Sequence, residues 1–483
     1  MKRILSLLLA ILMMGGAFAA CGTPAEPVDS TDDTTADTTP AETTEPAKTE
    51  PEYTDYQIAG MSAFEADCGD FILQFEAPSV AYYGKEEDTA WGQHTFPGLT
   101  RTTDGLIRLG WQYGEDRVGA TAVGFSKASA NGGKSWVPAA STTAMPKWKM
   151  ADGTYFMGFA SAGTTTMFST SKYTPDVTWG SNKRFMAEDF IGDEQAEKYK
   201  VISLQSRIYD PETKENTTID SVLNWPWAGV HVYPGNITYT LSGVFGLSGG
   251  NVISTADGTL YTCIYCGGFD SDAETREEAI ANISDPSKSN IYVFESTDNA
   301  RTWNYVSQIL STEERRARSV AVEGTSSGDE GYTEPKMIEM PDGSFFMLLR
   351  TGSSRTLFYS VSTDNCRTWS EPAAFDECGV LPQLLRLENG MTIASYGRPT
   401  LYVRATNDPT GQEWADHVEI PLCNDMALSK YMQKGCFYTG LLALDEDSFL
   451  ICFTDFNYPN KDGVPVHTVL TRRVHVVMKD AEK

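Results

Sequence analysis

The sequence predicts an all-β protein, a six-bladed β-propeller of four-stranded antiparallel blades, and three observations predict it. A Ser-x-Asp-x-Gly-x-x-Trp pattern recurs along the chain. Each copy closes a unit whose first strand is followed by an Asp-Gly-type turn. The runs between turns are short and rich in aromatic and β-branched residues.

The repeat starts with Ser129-Ala130-Asn131-Gly132-Gly133-Lys134-Ser135-Trp136, where Asn131 stands for the aspartate. Ser296 to Trp303 matches it around Asp298, with Ala300 for the glycine. Ser362 to Trp369 matches it around Asp364, with Cys366 for the glycine. A copy one residue longer runs from Thr406 through Asp408 and Gly411 to Trp414, and Ser169 to Trp179 is a degraded fifth. The short polar side chains suit backbone hydrogen bonding within a turn, and the indole suits packing between strands, so these residues read as structural.

The first turns are Thr103-Asp104-Gly105, Ala256-Asp257-Gly258, Pro341-Asp342-Gly343 and Glu388-Asn389-Gly390. Glycine supplies the positive φ that such hairpins need. Ser344 to Leu349 and Thr356 to Val361 are examples of the strands that follow. Blades are expected near 94–140, 150–240, 248–310, 333–372, 380–420 and 436–478, the second with an insertion.

The start of the chain reads differently. Lys2 and Arg3 precede an apolar run from Ile4 to Met14 and small residues from Gly15 to Ala20, the pattern of an export signal over residues 1–20. That run falls short of the roughly 20 residues of a membrane span. Phe18-Ala19-Ala20-Cys21 resembles a bacterial lipobox, which implies a lipid on Cys21 and a place on the extracellular face of the cell membrane. Residues 21–55 are almost entirely Thr, Pro, Ala, Asp and Glu, with Lys48 as the one basic residue. Such a segment cannot bury enough apolar surface to fold and reads as a tether. Residues 56–483 are then the propeller.

A formal charge of −27 argues against nucleic acid and other polyanions as partners. Eight cysteines follow Cys21. Cys263 and Cys266 form a lone C-x-x-C within an apolar strand pattern and read as buried thiols. No phosphate-binding glycine loop, zinc-ligand cluster or Ser-His-Asp motif is present, so neither cofactor nor metal is expected. A monomer with a glycan partner is.

Blade topology sorts residues by end. First-strand starts and second-strand ends meet at the end opposite the turns. Arg350 and Arg398 fall at matching offsets after Gly343 and Gly390, so neighbouring blades aim two guanidinium groups at one place. A guanidinium fork matches a carboxylate, and in a chain this acidic it also matches the protein's own acids. Glu334 and Tyr438 lie at first-strand starts.

Repeated Asp boxes on four-stranded units resemble the sialidase superfamily, over roughly residues 90–478. Glu334-Pro335 followed by Arg350 is similar to the segment holding a catalytic glutamate and a carboxylate-binding arginine. Phe437-Tyr438-Thr439 is similar to the segment presenting a tyrosine nucleophile. The resemblance implies an exo-α-sialidase-like glycosidase that removes a terminal sugar acid. A neutral tyrosine deprotonated by a glutamate would avoid repulsion from a carboxylate on the anomeric carbon. The pattern also departs: Thr95, in His94-Thr95-Phe96-Pro97, stands where the family has a third arginine. Arg117 is the candidate to replace it, and Asp116 is the candidate acid for the leaving oxygen, with His94 as the alternative. Two other functions fit the same scaffold: a hydrolase or lyase on another polysaccharide, and a non-catalytic glycan-binding lipoprotein.

Overall fold

The computed structural model describes residues 52–114, 122–140, 143–162, 166–169, 184–186, 193–197, 200–227, 229–232, 238–241, 251–283, 285, 288–323, 325, 327–424 and 434–479. The protein is mostly β, built from successive antiparallel sheets that follow the chain. Sheet 1 is Thr95–Arg101, Ile107–Tyr113, Val123–Ser129 and Val137–Pro138. Sheet 4 is Thr333–Glu339, Phe345–Arg350, Leu357–Ser362 and Ala373–Asp376. Sheet 5 is Val380–Arg386, Thr392–Gly397, Leu401–Thr406 and Val418–Ile420. In each, consecutive strands are neighbours.

Sheets 2 and 3 are fused. Sheet 2 holds Trp148–Lys149, Tyr155–Ala162, Val201–Asp210 and Glu215–Asn224; sheet 3 holds Ile253–Ser254, Leu260–Gly267, Ser289–Ser296 and Thr302–Ile309. A short parallel pairing of Val222–Asn224 with Thr302–Asn304 joins them. The insertion expected in this region contributes a separate small sheet of Thr166–Ser169, Arg184–Met186, Gly229–Val232 and Thr238–Leu241. The degraded fifth repeat lies mostly outside the described residues.

Sheet 6 draws on both ends of the folded chain. Gly440–Ala443, Ser448–Pro459 and Pro465–Met478 supply three strands. Phe71–Phe75 runs antiparallel to the last strand, from Phe71 opposite Met478 to Phe75 opposite Val474, and Phe64–Asp67 beside it and Ser79–Tyr83 against the last strand make six strands in all. Phe71, Leu73 and Phe75 alternate inward and are buried between sheets 5 and 6. Just before this strand, Thr54 caps a short helix, Asp55–Met61, with a reciprocal capping box to Gln57. No described helix is long and apolar enough to cross a membrane.

The repeated turns share one hydrogen-bond scheme. The hydroxyls of Ser129, Ser296 and Ser362 accept from the N–H groups of Gly133, Ala300 and Cys366 at 2.9, 3.1 and 3.0 Å. Asn131, Asp298 and Asp364 accept from the N–H groups of Ser135, Thr302 and Thr368. Ala300 and Cys366 take the left-handed conformation of Gly133, with φ of 63, 62 and 85°. The tight turn is therefore held even where its residue has a Cβ. Burial works against the charge of Asp364, but bonds from Thr368 and Ser362 outweigh it and hold its carboxyl at about 2.

Each indole wedges against the preceding sheet. Trp303 of sheet 3 packs on Phe156 and Phe159 of sheet 2. Trp369, following the third strand of sheet 4, donates to Ser307 of sheet 3 at 3.0 Å. Trp414 in sheet 5 packs on Phe346 and Phe375 of sheet 4. Trp136 in sheet 1 donates to Thr471 of sheet 6 at 3.2 Å, so the first sheet docks on the last. Among the described residues the eight cysteines after Cys21 are free thiols, with Cys263 and Cys266 both buried.

Candidate active site

The first strands of sheets 6, 5 and 4 lie side by side, with that of sheet 1 next to sheet 6. Three of these strands carry an X-Pro step near their start: Phe96-Pro97, Glu334-Pro335 and Leu381-Pro382. At each step the pairing with the second strand shifts register, between Thr95 and Gly98, Thr333 and Lys336, and Val380 and Gln383. Phe96, Glu334 and Leu381 have φ of 54, 43 and 37°. A residue before proline ordinarily favours extended backbone, so these are strained bulges held by their surroundings. Phe437, at φ 63°, plays the same part in sheet 6 and presents Tyr438. The repeated X-Pro step was a readable sign of where side chains turn inward.

The bulges bring Glu334 and Tyr438 together. The Tyr438 hydroxyl donates to Glu334 Oε1 at 3.2 Å. The other carboxylate oxygen accepts from the Leu381 N–H at 2.8 Å, so the neighbouring bulge fixes the carboxylate. Tyr438 is buried and its ring lies 5.0 Å from that of Phe96. Next to Arg398, Gly397 permits this approach, because a Cβ there would come within 2.1 Å of the Phe437 carbonyl oxygen.

Both arginines reach this place from second-strand ends. Arg350 Nη1 lies 2.6 Å from Glu334 Oε1 and donates to the Tyr438 hydroxyl at 3.5 Å. Its Nη2 meets Glu330 Oε1 at 3.2 Å. Burial works against its charge, but Glu334, Tyr438 and Glu330 hold the guanidinium firmly protonated. Arg398 donates from Nη1 to the Ser353 hydroxyl at 3.0 Å. Its guanidinium lies 5.5 Å from the Trp91 ring centre and 5.4 Å from that of Tyr438.

Other expectations meet different outcomes. His94 is buried with both ring nitrogens engaged. Trp111 Nε1 donates to Nδ1 at 3.1 Å, and Nε2 pairs with Asp88 at 2.9 Å. Burial also holds the ring below its usual pKa, so His94 is an anchor of the loop before sheet 1 rather than an acid facing a substrate. Thr95 is buried and donates to the Gly92 carbonyl at 3.1 Å, so the place of the third arginine carries no cation. Asp116 and Arg117 lie outside the described residues.

Sequence reasoning missed Glu330, Ser353, Trp91 and Tyr265. Tyr265, on sheet 3, has its phenol pushed above the usual range by burial and then by the charge of the Glu334 carboxylate. A polar hollow between sheets 1 and 6, lined by Arg101, Ser129, Asp445 and Arg473, lies at the opposite, Asp-box end and shares none of these residues.

No family model matches the chain, and no curated protein matches it. Solved structures match the chain at low identity. A Dyadobacter fermentans protein of unknown function is 15% identical with a TM-score of 0.45, covering 84% of this chain and 99% of that one. A Penicillium chrysogenum α-L-arabinanase, complexed with arabinobiose, is 11% identical with a TM-score of 0.40, covering 82% and 98%. A Hadza microbial sialidase is 12% identical with a TM-score of 0.41, covering 83% and 68%.

Proposed function

We propose that this chain is a retaining glycoside hydrolase on a six-bladed propeller, with Tyr438 as nucleophile and Glu334 as its base. One observation carries the reading: the Tyr438 hydroxyl donates to a carboxylate that is itself fixed, with a guanidinium beside the same oxygen. Glu334 takes the phenolic proton as the oxygen attacks the anomeric carbon. Arg350 offsets the negative charge that develops on the pair. A group between the second and third strands of sheet 1, for which Asp116 is the candidate, protonates the leaving oxygen. Water then gives a proton to that same group as it attacks the anomeric carbon, and Glu334 returns the phenolic proton to the departing Tyr438 oxygen.

The sugar acid implied by the sialidase resemblance is the first substrate class to try. A second reading, a propeller glycosidase or lyase acting on another polysaccharide, is favoured by two observations: the arginine-free Thr95 position and the acids already on Arg350. Product stereochemistry tests the mechanism across both. With a cleavable aryl glycoside, NMR before mutarotation is expected to show the anomer of retained configuration, and an inverted first product would exclude a tyrosine-bound intermediate.

Residues 56–483 are proposed as the catalytic domain, held as a monomer outside the cell membrane by a lipid on Cys21 and the tether of residues 21–55. Cys21→Ser is expected to release the domain into the medium. Detergent-phase partitioning that persists in the variant would exclude this lipid as the anchor.

A further inference from the structure

Arg350 is expected by resemblance to receive a substrate carboxylate, yet the protein supplies acceptors for all its donors. Nη1 faces Glu334 at 2.6 Å and the Tyr438 hydroxyl at 3.5 Å. Nη2 faces Glu330 at 3.2 Å and the Ser353 hydroxyl at 3.5 Å, and Nε faces the Gly352 carbonyl at 3.4 Å. The two shortest contacts are to carboxylates. A guanidinium has five N–H groups and no more.

Glu330 is not a loose surface side chain that swung in. Its N–H donates to the Thr351 carbonyl at 2.9 Å, one residue beyond Arg350, and its own carbonyl accepts from the Ser289 N–H at 3.0 Å. Gly331, at φ 74°, lets this segment lie against sheet 3: a Cβ there would come within 2.4 Å of the Ser289 carbonyl oxygen and 2.9 Å of the Ser311 hydroxyl. The backbone thus holds Glu330 beside Arg350, and of the two carboxylates on the guanidinium its side chain is the more exposed, 39% against 11% for Glu334.

We propose that Glu330 is a specificity-determining residue that closes Arg350 to substrate carboxylates, leaving Arg350 as a positioning residue for the Tyr438–Glu334 pair. The proposal rests on the glycosidase reading of that pair and narrows its substrate class. A sugar acid must displace Glu330 against like-charge repulsion, or place its carboxylate elsewhere, whereas a neutral sugar meets no such barrier.

The test measures binding of N-acetylneuraminic, 3-deoxy-octulosonic, glucuronic and galacturonic acids, each beside its methyl ester, to the wild-type protein and to Glu330→Gln. Glu330→Gln keeps the shape and a weaker hydrogen bond but removes the competing charge. At least one acid is expected to gain about tenfold in affinity relative to its ester, which corresponds to about 1.4 kcal/mol. Acid-to-ester ratios unchanged across all four, including no binding in either protein, overturn the proposal. Glu330→Ala, with folding checked by circular dichroism, repeats the comparison should Gln still block the fork.

A second arm separates the role of Arg350. On any glycoside the wild type cleaves, Arg350→Gln is expected to lower kcat at least a hundredfold with KM within about threefold, whereas a receptor would raise KM as well. A large KM rise overturns the positioning role. Loss of the glycosidase reading itself shows elsewhere, as undiminished turnover in Tyr438→Phe, so the two failures are distinguishable.

Discussion

Tyr438→Phe is expected to lower turnover of a cleavable glycoside by about a thousandfold or more while its affinity changes by no more than a few fold. Loss of one acid–base partner alone costs roughly 10²–10⁴-fold, and the variant removes the attacking atom itself. The substitution is clean in packing terms. The ring stays against Phe96 at 5.0 Å and beneath the Arg398 guanidinium at 5.4 Å. Glu334 and Arg350 keep each other at 2.6 Å, so no buried charge is stranded. Melting temperature is therefore expected within a few degrees of wild type. Glu334→Gln should fall in turnover by roughly 10²–10⁴-fold, because the phenol then has no strong acceptor for its proton. Steady-state kinetics with ligand binding on the same preparations decides the matter. Wild-type turnover in Tyr438→Phe would reduce Tyr438 to one more aromatic of the cluster formed by Trp91, Phe96 and Phe456.

What could be read from sequence follows the range of the forces involved. The Asp-box turns were legible because their bonds close within four residues, as from the Cys366 N–H to the Ser362 hydroxyl. Glu334, Arg350, Arg398 and Tyr438 were legible as neighbours because antiparallel order sends first-strand starts and second-strand ends to one end. Glu330 was not, since its place depends on a loop whose register is set by Ser289, 41 positions earlier in the chain. The role of His94 was not either, because a ring that accepts from Trp111 and pairs with Asp88 looks, in sequence, like any histidine near a site. Phe71–Phe75 alternates as a strand should, but its partner Val474–Met478 lies at the other end of the chain, beyond what a local pattern reports.

That distant pairing leads to the largest expected loss of stability. Arg472, on the last strand of sheet 6, has no exposed surface. Its Nη1 donates to the carbonyls of Ser62 and Glu76 at 2.8 and 2.9 Å, and its Nη2 to that of Gly60 at 2.5 Å. The guanidinium lies 5.5 Å from the Phe64 ring. Burial lowers its pKa to about 10, against the pull of Tyr458, Cys423 and Asp455, so it remains charged at neutral pH. One side chain thus fastens the segment on both sides of Phe64 to the C-terminal strand. Methionine fills similar space and donates nothing. Each carbonyl left buried without a donor costs about 1–3 kcal/mol, and partial release of the segment caps the sum. With three carbonyls affected, Arg472→Met is therefore expected to destabilise by about 3–5 kcal/mol. Arg473→Met is the control: its neighbouring guanidinium is partly exposed and meets Glu76 at 3.5 Å, so the loss should stay below about 1 kcal/mol. Urea unfolding of the three proteins gives the difference. Hydrogen exchange locates it, with amides of Phe64–Asp67 and Phe71–Phe75 expected to lose protection first. An Arg472→Met midpoint equal to that of the control would show that strand pairing alone, and not Arg472, holds the two ends of the folded chain together.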